Sequence, residues 1–420
     1  MKKLYVYADF DWLKEIELIG ELGYETLRGS DSYCFTFSNE WLSQHGDLFL
    51  SDDLNNYPGQ QYTQPGKDIF GCFSDALPDR WGRTLLLRRE QIEAAEEKRS
   101  IRRLSSFDFL TGIDDFSRMG GFRFKEDPNG KFINVSESLQ IPPLTDIREL
   151  IAASEEIEKS EGKNILPDQK WIFQLVQPGS SLGGARPKAN VIDADKTLYV
   201  AKFPSRKDDY DTGLWEYFSH LLAIKSGINA ATTKVLTIGK KYHTLLSKRF
   251  DRTQEGKRIH FASAMTLLGL EDGDNATNGH GYLDIVDFIL QNCTDVECNL
   301  QELYRRVAFN ICIGNSDDHF RNHGFLLTVR GWTLSPAYDM NPTLNEYQSL
   351  LISADSNKAK LNILLDACED YMLNRKTAEK IVSEVIDAVK NWRELAIRIG
   401  LFKKEMDMFA GVLDERCITE

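Results

Sequence analysis

A change of periodicity limits this chain's fold more than any other feature. Residues 180 to 250 read as strands: KANVID, a turn at DADK, TLYVAKF, and then KVLTIGKKYHTLLSKRF with a GK turn near its centre. From about residue 262 the apolar positions recur mainly at helical spacing. A Gly/Asn/Asp-rich loop at 271–281 and one hairpin, GFLLTV-RG-WTLSPAY, interrupt them. Between the strands, GLWEYFSHLLAIKSG reads as a helix.

Upstream, residues 1 to about 125 mix short β-rich runs, KLYVYADF and SYCFTF, with a helical stretch, LPDRWGRTLLLRREQIEAAEEKR. The acid–base pairs of that stretch at spacing three and four suit an exposed helix. DPNG at 127–130 is a strong turn and Pro142–Pro143 break the chain again, which sets a boundary between 126 and 144. Thr145 or Asp146 is expected to cap a helix through IRELIAASEEIEKSEG, with Gly162 as its stop. The expected class is α+β, in three parts: an amino-terminal β-rich subdomain (1–125), a small β-rich lobe (145–250) and a large helical lobe (251–420). A small β-rich lobe before a larger helical one is the order in which kinase-like folds place a nucleotide site.

Bulk composition excludes several classes. The chain has 420 residues, 42% of them hydrophobic, enough for a sizeable core. Its net charge of −13, from 64 acidic and 51 basic residues, disfavours direct contact with nucleic acid or an anionic membrane. Seven cysteines at irregular spacing, with no CxxC pair, make a poor disulfide framework and fit a reducing cytoplasm. Asp9 and Asp11 arrive before any long apolar run, unlike a signal peptide, and no stretch approaches the length of a spanning helix.

Phosphoryl transfer asks a protein for a loop over the phosphates, a lysine on them, an oxygen set for magnesium, and a carboxylate to orient the attacking hydroxyl. In the kinase loop HRDxxxxN the proton-accepting aspartate precedes a magnesium-binding asparagine by five positions, and in GNSDDHFRNHGFL Asp317 and Asn322 have that interval. Asp339, beyond the following hairpin, sits where a second magnesium ligand is expected. GSSLGGARPK at 179–188 offers a Gly/Ser loop, with neither a Walker A lysine nor a kinase GxGxxG. Lys202 follows Val200 and Ala201 much as the lysine follows in a VAIK strand. Phe250, in TLLSKRFDR, could lie against adenine. Bland readings stand beside each of these: a solvated turn after VAFNICIG, an ordinary glycine turn, an edge-strand lysine, a core phenylalanine. His319 and His323, four apart, could bind zinc on a helix, but there is no HExxH glutamate and GFL turns into a strand.

The motifs FSDALPDRWGR, GSSLGGARPK, LYVAKFPS, SKRFDR, HFASAMTLLG, FNICIGNSDDHFRNHGF and LSPAYDMNP, in this order along nearly the whole chain, resemble the HipA-like serine/threonine kinases, toxins of bacterial toxin–antitoxin modules. The resemblance implies a two-lobed, protein-kinase-like fold using ATP and Mg²⁺. It implies Asp317 as catalytic base, His319 as a phosphate-side residue, Asn322 and Asp339 as metal ligands, and Lys202 as the phosphate lysine. It places Ser181, Gly183 and Gly184 in the nucleotide-covering loop, Lys248, Phe250 and Tyr338 at the nucleotide, and autophosphorylation at Ser181. Protein substrates such as aminoacyl-tRNA synthetases follow from it, as does a separately encoded, HipB-like DNA-binding antitoxin. Lys248 stands where some members carry an acidic hinge residue, and Arg186 and Pro187 replace a glutamine and a glutamate of the best-known member. The alternatives are a small-molecule phosphotransferase, or an inactive module that binds nucleotide and antitoxin.

Overall fold

The structure is a computed structural model that describes residues 1–27, 30–64, 66–135, 141–160, 172, 175, 184, 186–239 and 242–418. Its fold is α+β, and the chain divides into two compact units, Met1–Lys207 with Leu246–Ala262, and Asp208–Leu245 with Ser263–Glu420.

The first unit opens with strands β1 (Lys2–Ala8), β2 (Glu17–Leu27) and β3 (Ser30–Phe37), helix α1 (Asn39–His45) and strand β4 (Gln60–Tyr62). Helices α2 (Arg80–Glu96) and α3 (Ser106–Gly112) and strand β5 (Phe122–Lys125) follow. The five strands form one antiparallel sheet in the order β4-β3-β2-β1-β5. Alternation explains its inner face: Leu4, Val6 and Ala8 of β1 are buried while Tyr5 and Tyr7 between them are not. The predicted helix at LPDRWGR begins at Arg80, because Asp79 accepts the Gly82 N–H at 2.7 Å and so caps it. Next come α4 (Ile147–Ser160) and the antiparallel hairpin β6 (Lys188–Ile192) and β7 (Leu198–Lys202). Thr145 and Asp146 do not act as the expected caps: both lie in a 3₁₀ turn, Leu144–Asp146, that leads straight into α4. Gly162 lies outside the described residues.

The chain enters the second unit with α5 (Thr212–Lys225) and β8 (Thr233–Leu236), returns to the first through β9 (Thr244–Lys248) and leaves it by β10 (His260–Ser263). The remainder is α6 (Ala264–Leu267), α7 (Tyr282–Asn292), α8 (Val296–Ile313), the hairpin β11 (Gly324–Thr328) and β12 (Gly331–Leu334), then α9 (Leu361–Asp366), α10 (Arg375–Val389), α11 (Trp392–Ile399) and α12 (Lys403–Glu415). Trp215 of α5 lies against Phe218 and Phe409, and its Nε1 donates to Glu405 of α12 at 2.9 Å. All seven cysteines are free, as their spacing implied. Among the described residues no helix is long and apolar enough to cross a membrane.

Ionic contacts organise the interior of the first unit. Asp251 is fully buried, and both of its oxygens receive the Arg249 guanidinium, at 2.8 and 2.6 Å, while Arg252 adds a third contact at 2.5 Å. Burial alone would raise its carboxyl, but the two guanidinium charges outweigh that and hold it well below the usual range. Arg249 also donates to the Ser117 and Arg118 carbonyls and to Asn190 of β6, so one charge pair ties three separate stretches of chain together. Removing one partner of such a pair leaves a buried charge. Asp251→Ala is therefore expected to cost about 3–5 kcal/mol in urea denaturation.

His260, buried between the Phe10 and Phe122 rings at 4.8 and 4.3 Å, is pushed by burial from its ordinary 6.5 down to about 3. It stays neutral in the folded chain at pH values where the unfolded chain takes up a proton. Stability is therefore full above about pH 6.5 and falls as the pH drops towards 3. Between pH 7.5 and 5.0 the wild type should lose about 2 kcal/mol more than His260→Phe, measured by urea denaturation at each pH.

Candidate functional site

Helix α8 ends at Gly314 in the left-handed conformation (φ 74°), where a Cβ would collide with the Val412 side chain of α12. The Asn315 N–H returns to the Asn310 carbonyl at 2.9 Å, and Ser316, Asp317 and Asp318 follow outside any helix or strand. Asp317 is exposed and Asp318 buried, so the two neighbouring aspartates take opposite sides. Asp318 Oδ2 accepts from Tyr282 Oη at 2.7 Å, Asn310 Nδ2 at 2.7 Å and His323 Nε2 at 2.8 Å. Burial raises its carboxyl, but His323 and these hydrogen bonds prevail and hold it below the usual range, so Asp318 is a fixed anion.

Asn322, in the 3₁₀ turn Phe320–Asn322, donates from Nδ2 to the Asp317 carbonyl at 3.1 Å, closing the loop on itself. The hairpin that follows pairs Phe325 with Leu334 and Thr328 with Gly331, and carries the chain to Asp339. Asp339 has φ 57°, a conformation that aspartate tolerates better than most residues. The Asp317 carboxyl is raised, first by desolvation and further by the charges of Asp339 and Asp318, with His319 opposing. Tyr338 donates its hydroxyl to the Arg321 carbonyl at 2.6 Å, and His319 Nδ1 is buried with no hydrogen-bond partner among the described residues.

Carboxylates and an amide oxygen are hard-oxygen donors, the type that suits a divalent cation such as Mg²⁺, which takes few protein ligands alongside substrate phosphates. The zinc alternative loses support because His323 Nε2 is committed to Asp318. Among the described residues no three His, Cys, Asp or Glu side chains are grouped to hold a metal.

In the first unit, Lys202 ends β7 in register with Lys188 of β6 and is half-buried. Gly184 has φ 87°, a conformation that favours glycine. Ser181 and Gly183 lie outside the described residues. Sequence reasoning gave no role to the exit of this loop. Lys188 Nζ lies 3.0 Å from Asp79 Oδ2 with both side chains buried, Trp81 Nε1 donates to the Lys188 carbonyl at 3.1 Å, and the Trp81 N–H reaches the Gly184 carbonyl at 3.4 Å. The start of α2 thus holds the end of the glycine loop. The only sequence signal was the DRW run itself, about a hundred residues upstream. Lys248 and Phe250 flank the buried Arg249, and the Phe250 ring lies 5.8 Å from that of Phe261, so at least part of it serves the core.

Residues 180–393, just over half of the chain, match the model of the HipA-like C-terminal domain, and residues 12–108 match that of the HipA N-terminal domain. The chain belongs to the HipA-like kinase family. Its similarity extends to the Shewanella oneidensis serine/threonine-protein kinase toxin HipA, at 26% identity over 347 residues covering 77% of this chain and 72% of that protein. A Haemophilus influenzae relative whose name proposes a kinase is 24% identical over 196 residues, 41% of this chain and 57% of its own. The solved Shewanella oneidensis complex of HipA, HipB and operator DNA superposes with a TM-score of 0.68 over 99% of this chain and 96% of that one, at 18% identity. This HipA-family chain therefore shares the HipA fold.

Proposed function

We propose that the chain is an ATP- and Mg²⁺-dependent serine/threonine protein kinase. The observation that best supports this reading is the arrangement around Asp317. It is an exposed carboxylate whose loop is closed by Asn322, and it lies near enough to Asp339 for the two charges to interact, in a chain of the HipA-like family.

In this reading Asp317 orients the incoming hydroxyl and accepts its proton as the new O–P bond forms and ADP leaves; a carboxyl raised above the usual range is a better base for that task. Asn322 and Asp339 hold Mg²⁺, which when bound neutralises phosphate charge. His319 faces the phosphates, Lys202 pairs with them, and Ser181, Gly183 and Gly184 belong to the loop that covers them. Lys248, Phe250 and Tyr338 serve the nucleotide; because the Tyr338 hydroxyl is engaged with Arg321, its ring is the part that contacts it. The substrate is a protein, aminoacyl-tRNA synthetases being the class the resemblance names. A HipB-like DNA-binding antitoxin is the partner, and the cytoplasm the place of action.

Incubation of a cell lysate with labelled ATP should give labelled protein with the wild type and about 10²- to 10⁴-fold slower labelling with Asp317→Ala. Equal rates would remove Asp317 from the base role, and label confined to a soluble metabolite would make the chain a small-molecule kinase. Phosphate on Ser181 would compete with ATP phosphates for backbone N–H groups and repel them. Peptide mass spectrometry after incubation with Mg·ATP should locate it there, and phosphate found only at other residues would refute autophosphorylation at that serine.

A further inference from the structure

The buried anion Asp318 and the carboxylate Asp339 are joined by a line of asparagines. Asn310 Nδ2 donates to Asp318 Oδ2 at 2.7 Å, and Asn310 Oδ1 accepts from Asn315 Nδ2 at 3.0 Å. Asn315 Oδ1 accepts the Asn341 N–H at 3.4 Å, and Asn341 Nδ2 donates to Asp339 Oδ1 at 3.3 Å. The two contacts on the Asp339 side are longer than the two on the Asp318 side, and Asp339 and Asn341 are less buried.

The direction of every bond follows from its ends. A carboxylate only accepts, so Asn310 must present its NH₂ to Asp318 and its oxygen to Asn315. Asn315 must then donate to Asn310 and accept from Asn341. Asn310 and Asn315 are 3% and 2% exposed, and a polar amide that deeply buried is retained only where its partners are complete. A leucine pair of similar volume would fill the same space without that requirement, which points to a role in placement.

We propose that Asn310, Asn315 and Asn341 are positioning residues that set Asp339 relative to the Asp317–Asp318 loop, and so set the affinity of the metal site. The inference rests on the kinase reading above. Ser316, between Asn315 and Asp317, has other partners: its hydroxyl meets Thr343 Oγ1 at 2.5 Å and its carbonyl accepts from Ser349. Thr343, which also donates to the Gly314 carbonyl at 2.9 Å, braces the same loop without belonging to the amide line, so a disturbance there serves as the control.

The test compares wild type, Asn315→Asp, Asn341→Ala and Thr343→Val. Asn315→Asp keeps the shape but turns a donor into an acceptor facing Asn310 Oδ1. Asn341→Ala removes a half-buried side chain and spares the core, so it remains informative where Asn315→Asp unfolds. Two quantities are read: the Mg²⁺ concentration giving half-maximal phosphate transfer, and Mn²⁺ binding in the presence of ADP by calorimetry, which needs no turnover. Both asparagine variants should require about tenfold more metal in both assays, while Thr343→Val lowers the melting temperature and leaves the metal requirement unchanged. Metal requirements equal to wild type in the asparagine variants, or an equal shift in Thr343→Val, would overturn the positioning role and leave the kinase reading intact. A wild type that neither binds Mn²⁺ with ADP nor transfers phosphate would defeat the kinase reading and the relay together.

Discussion

A carboxylate buried with three donors on one oxygen fixes the second unit around itself. Tyr282 comes from α7, Asn310 from α8 and His323 from the approach to β11, and Asp318 holds all three. An ionised carboxylate away from water is tolerable only when its lone pairs are filled, so none of these elements can shift without exposing an unpaired charge. The loop between α8 and β11 carries that anchor, with Asp317 exposed beside the buried Asp318.

The first unit solves a different problem by the same physics. The segment before β5 is linked to β6 through Asp251 with Arg249 and Arg252, and the start of α2 to β6 by Asp79 with Lys188. In both cases the ion pair joins segments far apart in sequence, where an apolar contact could slide and a directional charge pair cannot. Asp79 is economical in this respect: one oxygen caps α2 and the other meets Lys188, so the helix start and the loop end share one carboxylate.

Whatever depends on local order was readable from the sequence. The Asp317–Asn322 interval, the hairpin to Asp339, the Lys202 strand and the helix of α2 follow from spacing and alternation within short windows. The anchors were not readable, because their partners are remote. Nothing near Asp318 names Tyr282, and nothing near Lys188 names Asp79. Asp317 and Asp318 are chemically identical neighbours; burial alone separates an exposed carboxylate from a buried structural anion, and burial is a property of the packed chain. The start of α4 shows the opposite limit, since two good capping residues are passed over when a 3₁₀ turn supplies the entry.

Gly314 gives the carboxyl-terminal helix an unexpected standing. The turn that opens the Asp317 loop has no room for a side chain because Val412 of α12 already fills that space, and Arg416 just beyond donates to the Asn345 carbonyl. Residues nearly a hundred positions downstream therefore form the wall against which that turn is moulded. Swapping, fusing or trimming α12 is equivalent, for this protein, to editing the loop that carries Asp317.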